Sequence, residues 1–272
     1  MKKWSVFSLF LAVYLCLCLL AACGAAGGGA APENPAGGAA DKGVQSADVT
    51  MVCRVISGGG TDTLLLAKQS GSSGDVYRLK WENGADGALR DGALVEIAFS
   101  GDILESFPAQ LCQVSSLTVL EDGFDDRCAL YFRVLNDLWT VDEGLNSDLT
   151  ALGVDLSATG LSESERAAVA WAFSEAHGIV PVQGTFAELT EQGYITGEPL
   201  EGSDARFWQW TDGCLFSITE KPSEGTTSLN IVRFDAQKWR SGTGAYYFAD
   251  CTAVQSADGA WDGYQVGSEA IS

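Results

Sequence analysis

The sequence predicts a mainly β protein in which a small antiparallel barrel precedes an α+β region of three helices and an antiparallel sheet. Three observations support this fold class. Short β-branched or alternating runs separated by glycine-rich turns fill residues 47–121. Three helix signatures follow, and after Pro199 the pattern returns to alternating strands. Helices followed by a strand meander are typical of α+β folds.

The N-terminal residues predict export and a lipid anchor. Lys2 and Lys3 precede an almost purely apolar run over 7–22, which is the pattern of a secretory signal. Leu-Ala-Ala-Cys23-Gly at its end resembles the lipobox of bacterial lipoproteins. The resemblance implies that residues 1–22 are removed as a signal peptide and that Cys23 carries fatty acid such as palmitate. A transmembrane helix is the alternative, but no basic cluster follows to stop transfer.

Residues 23–46 predict a disordered tether, because they offer no aromatic and almost no branched apolar residue to bury. A flexible chain of this length would keep the folded part within roughly 25 to 30 Å of the bilayer. We therefore expect the protein on the outer face of the cytoplasmic membrane, attached through lipid. The net charge of −20 repels phosphate backbones and anionic headgroups, so no nucleic-acid partner is expected.

The first predicted domain, residues 47–121, reads as five or six short strands. Glycine-rich turns punctuate them, and an OB-like barrel is the natural way to close such a set. The predicted strands are 49–56, 63–68, 76–81, 94–99 and 113–120.

One segment of this domain has a family resemblance. Residues 101–110 read Gly-Asp-Ile-Leu-Glu-Ser-Phe-Pro-Ala-Gln, which resembles the "G-x-I-x-E-S-Y-P-A-Q" segment of small secreted or lipid-anchored domains in Gram-positive bacteria. The resemblance implies an OB-like fold and no particular activity. Phe107 replaces the usual tyrosine, which indicates that packing rather than a hydroxyl is needed there. Pro108 prevents strand pairing before the final strand.

The second predicted domain, residues 123–272, opens with three helices. An apolar stripe predicts the first, over about 125–141. Ser162 with Glu165, and Thr185 with Glu188, are capping boxes that open the other two. The stripe consists of Cys128, Tyr131, Phe132, Leu135, Leu138 and Trp139.

Strands are predicted after Pro199, joined by tight turns. The order of helices followed by an antiparallel meander is similar to cystatin-like or NTF2-like folds, an analogy that carries no activity. The predicted strands are 207–211, 214–220, 228–234, 245–254 and 261–266.

Five cysteines follow the tether, and none lies in a Cys-x-x-Cys pair, which excludes zinc ribbons and thioredoxin-like sites. Because disulfides are permitted outside the cell, two pairs are predicted, Cys53 with Cys112 and Cys214 with Cys251. The alternative is that the cysteines are buried free thiols that act as small apolar side chains.

No catalytic residue, metal site or cofactor is predicted. His177 is the only histidine, and its place at a helix C-terminus favours a structural role. No nucleophile motif such as Gly-x-Ser-x-Gly is present.

The aromatic residues of the second domain are the most suggestive candidates for binding. Trp208 with Trp210, and Tyr246 with Phe248, share a strand face at period two. A pair that faces solvent could stack a sugar or line a pocket, whereas a pair that faces the helices belongs to the core.

The function predicted from these features is a non-catalytic binding or scaffold role in the cell envelope, with a glycan or protein ligand. The alternative is a carboxylate-dependent enzyme that acts on glycan or peptide. Such an enzyme needs two acids about 5 to 10 Å apart. One of them must lie in an apolar setting that raises its pKa.

Overall fold

The described chain forms two mixed β-sheets and three α-helices, which pack around one large hydrophobic core and two smaller ones. In this computed structural model the described residues are 48–81, 89–222 and 230–272. Ser46–Ser272 make one compact unit. The predicted signal peptide, Cys23 and the tether lie outside the described residues. Among the described residues, no helix has both the length and the apolar character needed to cross a bilayer.

The first sheet has seven strands in the order β5-β6-β3-β2-β1-β4-β7. Its pairs are antiparallel except β3 with β6, which are parallel. The strands are β1 Val49–Ser57, β2 Thr63–Lys68, β3 Val76–Lys80, β4 Leu94–Phe99, β5 Ile103–Leu104, β6 Ala109–Leu111 and β7 Val114–Val119. Gly58 makes the tight turn after β1 possible: its φ is +89°, and an added Cβ would lie 2.0 Å from the Thr63 carbonyl oxygen.

The second sheet has nine strands that alternate with the helices in its first half. Its central order is β10-β11-β13-β12-β8-β9, and β14 joins β13 to β15 and β16. The elements are α1 Arg127–Thr140, β8 Ala151–Asp155, α2 Glu163–His177, β9 Val180–Gln183, α3 Phe186–Glu191, β10 Thr196–Pro199, β11 Arg206–Gln209, β12 Gly213–Glu220, β13 Ile231–Ser241, β14 Gly244–Val254, β15 Tyr264–Gln265 and β16 Ser268–Ile271.

The predicted helix starts are confirmed by their caps. The Ser162 side chain accepts the backbone N–H of Glu165, and the Glu165 carboxylate accepts the backbone N–H of Ser162. Thr185 and Glu188 form the same reciprocal pair of hydrogen bonds at the start of α3. Gly178 closes α2 in the left-handed conformation, with φ of 65°.

The prediction of a purely antiparallel second sheet is wrong, because β8 pairs in parallel with both β12 and β9. β8 is buried along almost its whole length, so its apolar residues do not alternate with polar ones. It therefore lacks the period-two signal of a half-exposed strand. The cystatin-like or NTF2-like analogy loses its basis, since it rested on an antiparallel meander.

Helix α2 joins the two sheets. Its buried residues pack against α1 and the second sheet on one side, and against Leu65 and Ala67 of β2 on the other. Ser164 donates a hydrogen bond of 2.7 Å to the Lys68 carbonyl. The outer face of the first sheet thus forms part of the main core.

An ion pair connects α2 to the first sheet. The Arg54 Nε lies 2.7 Å from the Glu165 Oε1, and the two side chains are only 14% and 17% exposed. Arg54 also donates to the carbonyls of Gly92, Gly123 and Asp125 at 2.9 to 3.3 Å. One side chain therefore connects β1 to the segment before α1 and to α2.

We expect Arg54→Met to lower the free energy of unfolding by about 3 kcal/mol, because it leaves the largely buried Glu165 without its cation. Urea denaturation measures this. The matched control is Arg78→Met, whose partner Glu175 is half exposed, and it should cost less than about 1 kcal/mol. Equal losses in the two variants would show that the connection of α2 to the first sheet does not depend on this pair.

Candidate functional site

The second sheet has one face packed on helices and one face that is partly open. On β12, Cys214, Phe216 and Ile218 point toward α1 and α2. Leu215 and Ser217 therefore point to the opposite side. α3 and β10–β11 cover only one end of that side, around Leu189, Ile195, Trp210 and Leu215.

The uncovered part is a groove of about 290 Å³, which we call the outer groove. Its central row consists of Ser217, Gln237 and Tyr247, which lie directly opposite one another on β12, β13 and β14. This row spans about 10 Å, which is two strand spacings. The lining residues are Ser217, Thr219, Asp235, Ala236, Gln237, Tyr247, Phe248 and Ala249.

The charge at one end of the outer groove is largely compensated. Asp235 Oδ1 lies 2.7 Å from the Lys221 Nζ and accepts the backbone N–H of Asp250 at 2.8 Å. Lys221 also contacts the Asp250 carboxylate at 2.7 Å. Asp235 therefore enters the groove with its charge already paired.

The predicted aromatic pairs each share a face, but those faces are packed. Trp210 is 1% exposed and Phe248 is 4% exposed. Trp208 packs edge-on against Phe186, with ring centroids 5.7 Å apart. Tyr246 donates a hydrogen bond to Glu269. Neither pair is the solvent-facing platform that the sequence left open.

Two aromatic residues line the outer groove, Tyr247 and Phe248. Phe248 is one of the predicted candidates but is only 4% exposed, so the half-buried Tyr247, which the predicted pairs did not include, offers the more accessible ring. Trp239 lies on the same face, one row along β13, and packs 5.0 Å from the Phe186 ring centroid. Period two shows which residues share a face, but it does not show which face is covered. The pairing register of β13 with β14 also shifts at a bulge between Phe234 and Ala236.

Trp210 explains how the covered end of this face is held. It packs so closely on β8 and β12 that an added Cβ at Gly153 or Gly213 would lie 2.6 or 1.9 Å from its ring. Only glycine permits this approach at either position. The covered end is therefore a rigid wall beside the open part.

The predicted disulfides are not present. All five cysteines of the described residues are free thiols, and Cys112 alone among them is half-exposed. Cys214 and Cys251 lie on β12 and β14 with β13 between them, so they are at least about 9.5 Å apart. A disulfide needs Cα atoms within roughly 7 Å. Cys53 lies on β1, and β2 and β3 separate it from β6, which Cys112 follows.

The buried thiols should be chemically inert. Burial raises the pKa of Cys53, Cys214 and Cys251 to about 12. Alkylation of the native chain with iodoacetamide, mapped by mass spectrometry, should modify Cys112 well before these three. After denaturation all of them should react. A peptide linking Cys214 to Cys251 would contradict this arrangement.

His177 has a structural setting, as its position predicts. Its ring stacks on Trp139 with centroids 3.9 Å apart, and its Nε2 lies 3.0 Å from the Asn136 Oδ1. Burial lowers the pKa of His177 from its ordinary value of 6.5.

This shift predicts a pH dependence of stability. As the pH falls below about 6.5, the unfolded state binds the His177 proton before the folded state does, so stability is lost. His177→Gln removes this contribution, and its free energy of unfolding should fall less between about pH 7.5 and about pH 5.5 than that of the wild type. Urea titrations at the two pH values measure the difference. Equal falls in both proteins would rule out His177 as the source.

The carboxyl groups do not form a glycosidase-like pair in the outer groove. Burial raises the pKa of Asp91 and Asp126, but each accepts a backbone N–H within 2.7 Å, and neither lines the groove. Glu165 lines a second cleft of about 290 Å³. Burial there opposes ionisation, yet hydrogen bonds from Ser162 and Arg54 hold the pKa of Glu165 below its ordinary value. A general acid requires the opposite shift.

Comparisons with protein-family models, curated proteins and solved structures each gave no match for this chain. The resemblance of residues 101–110 to a secreted family therefore stays a prediction. Within that segment, Phe107 packs edge-on against Trp171 of α2, with ring centroids 5.4 Å apart. This contact lies where the first sheet meets α2. Phe107 therefore packs against a neighbouring ring, as predicted from the replacement of the usual tyrosine by phenylalanine.

Proposed function

We propose that this chain is a membrane-anchored extracytoplasmic lipoprotein with a non-catalytic binding role in the cell envelope. The observation that carries the proposal is the apolar run 7–22 ending in Leu-Ala-Ala-Cys23. Small residues before a cysteine at the end of a signal are what lipoprotein processing requires. Cys23 would carry the lipid, and more than one acyl chain would make the attachment stable.

An OB-like arrangement of the first sheet belongs to the same proposal, and its connectivity supports this. β1 pairs with both β2 and β4, while residues 109–119 pair with β3 through β6 and with β4 through β7. One bent final segment thus bridges the two ends of the sheet, which favours a closed barrel.

OB folds bind oligonucleotides and oligosaccharides on the face of their second and third strands. In this chain α2 covers that face, because Leu65 and Ala67 of β2 and Val76 of β3 are buried in the core that contains α2. The net charge of −20 further disfavours nucleic acid. These features favour a scaffold role for the first sheet and a binding role for the second.

The anchor is tested by Cys23→Ser. We expect the variant to leave the membrane fraction and to lose radiolabelled palmitate, because the sulfur that carries the lipid is gone. Cell fractionation and labelling measure both. Cys112→Ser, which changes the half-exposed cysteine of the folded part, is the matched control and should stay attached and labelled. A Cys23→Ser chain that stays in the membrane fraction would overturn the proposal.

A further inference from the structure

The outer groove contains polar side chains that the described protein does not use. Ser217, Thr219, Gln237 and Tyr247 line it, and no side-chain hydrogen bond joins any of the four to another described residue. Ser217 is only 9% exposed as a residue, yet its hydroxyl is not enclosed and borders the groove. The four side chains therefore leave hydrogen-bonding groups available to a ligand in the groove.

The charges around the groove select against ionic ligands. Two cations lie beside the groove: Lys221 contacts the carboxylates of Asp235 and Asp250, and Lys221, followed by Arg233, lowers the pKa of Asp250. The two cations balance the two carboxylates, so this cluster offers an anion no net positive charge, and an anion would also face the net charge of −20. A cation would have to compete with Lys221 for Asp235. The remaining hydroxyls and the amide are neutral donors and acceptors.

The groove combines these groups with aromatic surface. Tyr247 lies directly opposite Gln237, and Trp239 lies on the same face one row away. Tyrosine offers an apolar ring for stacking and a hydroxyl for hydrogen bonding. A sugar ring has the matching surfaces, because its C–H groups pack on aromatic rings and its hydroxyls both donate and accept hydrogen bonds.

We propose that the outer groove binds a neutral carbohydrate chain, which contacts Tyr247 through a ring face and Ser217, Thr219 and Gln237 through hydrogen bonds. An extended polymer suits a groove that lies open across three strands. The inference rests on the proposed binding function and names its ligand class.

The test is a titration of the full chain, purified in a detergent without a sugar headgroup. Calorimetry is run with three neutral probes, chitotetraose, cellotetraose and maltotetraose. We expect at least one to bind, and we expect Tyr247→Ala and Gln237→Ala each to weaken that binding at least about tenfold, as loss of one stacking or hydrogen-bonding group implies. Tyr247→Phe keeps the ring and should lose less affinity than Tyr247→Ala.

The matched controls are Tyr194→Ala and Gln265→Ala, which remove the same side chains from exposed positions outside the groove. Their affinity should equal that of the wild type. Thermal unfolding of every variant shows whether a loss of binding reflects unfolding, and Tyr247→Phe carries the test if Tyr247→Ala does not fold.

Three results would overturn the inference. None of the neutral probes binds, or the groove variants bind as well as the wild type. The third is that the groove variants abolish binding of hexalysine or of a sulfated oligosaccharide and leave neutral probes unaffected. Failure here is distinct from failure of the anchor: the groove variants stay attached to the membrane, and Cys23→Ser retains its oligosaccharide binding.

Discussion

The two-sided packing of α2 is the constraint on which the rest of the fold depends. The helix buries small residues, Ala167, Ala168 and Ala170, together with Phe173. Small side chains let both the first sheet and α1 approach its backbone closely. The Arg54–Glu165 pair then fixes the position of the helix along the sheet, because a charged pair this deeply placed tolerates little displacement.

This packing decides which surfaces remain free. α2 covers the outer face of β1, β2 and β3 in the first sheet, and α1 and α2 fill the helix-side face of the second sheet. Two neighbouring residues of β13 lie on opposite faces of the second sheet, one buried against the helices and one in the outer groove. Lys238 is fully buried and donates to the carbonyls of Trp139, Val141 and Asp142, whereas its neighbour Gln237 lines the outer groove. Burial lowers the pKa of Lys238, so its setting at the end of α1 is structural and its neighbour is the residue open to a ligand.

What the sequence could predict was set by local chemistry. The capping boxes at Ser162 and Thr185 were identified correctly because a cap depends on residues three apart. The parallel pairing of β8 with β12 was missed because it joins Ala151 to Gly213 across two helices and three strands. The Cys214–Cys251 prediction failed for a different reason. A strand was predicted at 228–234, and in an antiparallel meander that strand separates the two cysteines, as β13 does in the structure. The groove was missed because period two placed Tyr246 and Tyr247 on opposite faces without showing which face the helices would cover.

The proposed anchor and the proposed groove constrain each other energetically. A groove that lies open on a sheet surrounds its ligand on one side only, so it offers few contacts and a modest intrinsic affinity. The proposed attachment to a surface that also carries the ligand would offset this, because a short tether would give an effective concentration on the order of millimolar. An acidic surface contributes in the same direction, since a net charge of −20 keeps the folded part from adhering to anionic headgroups. The outer groove would then remain free to meet an uncharged polymer, which the surrounding charge neither attracts nor repels.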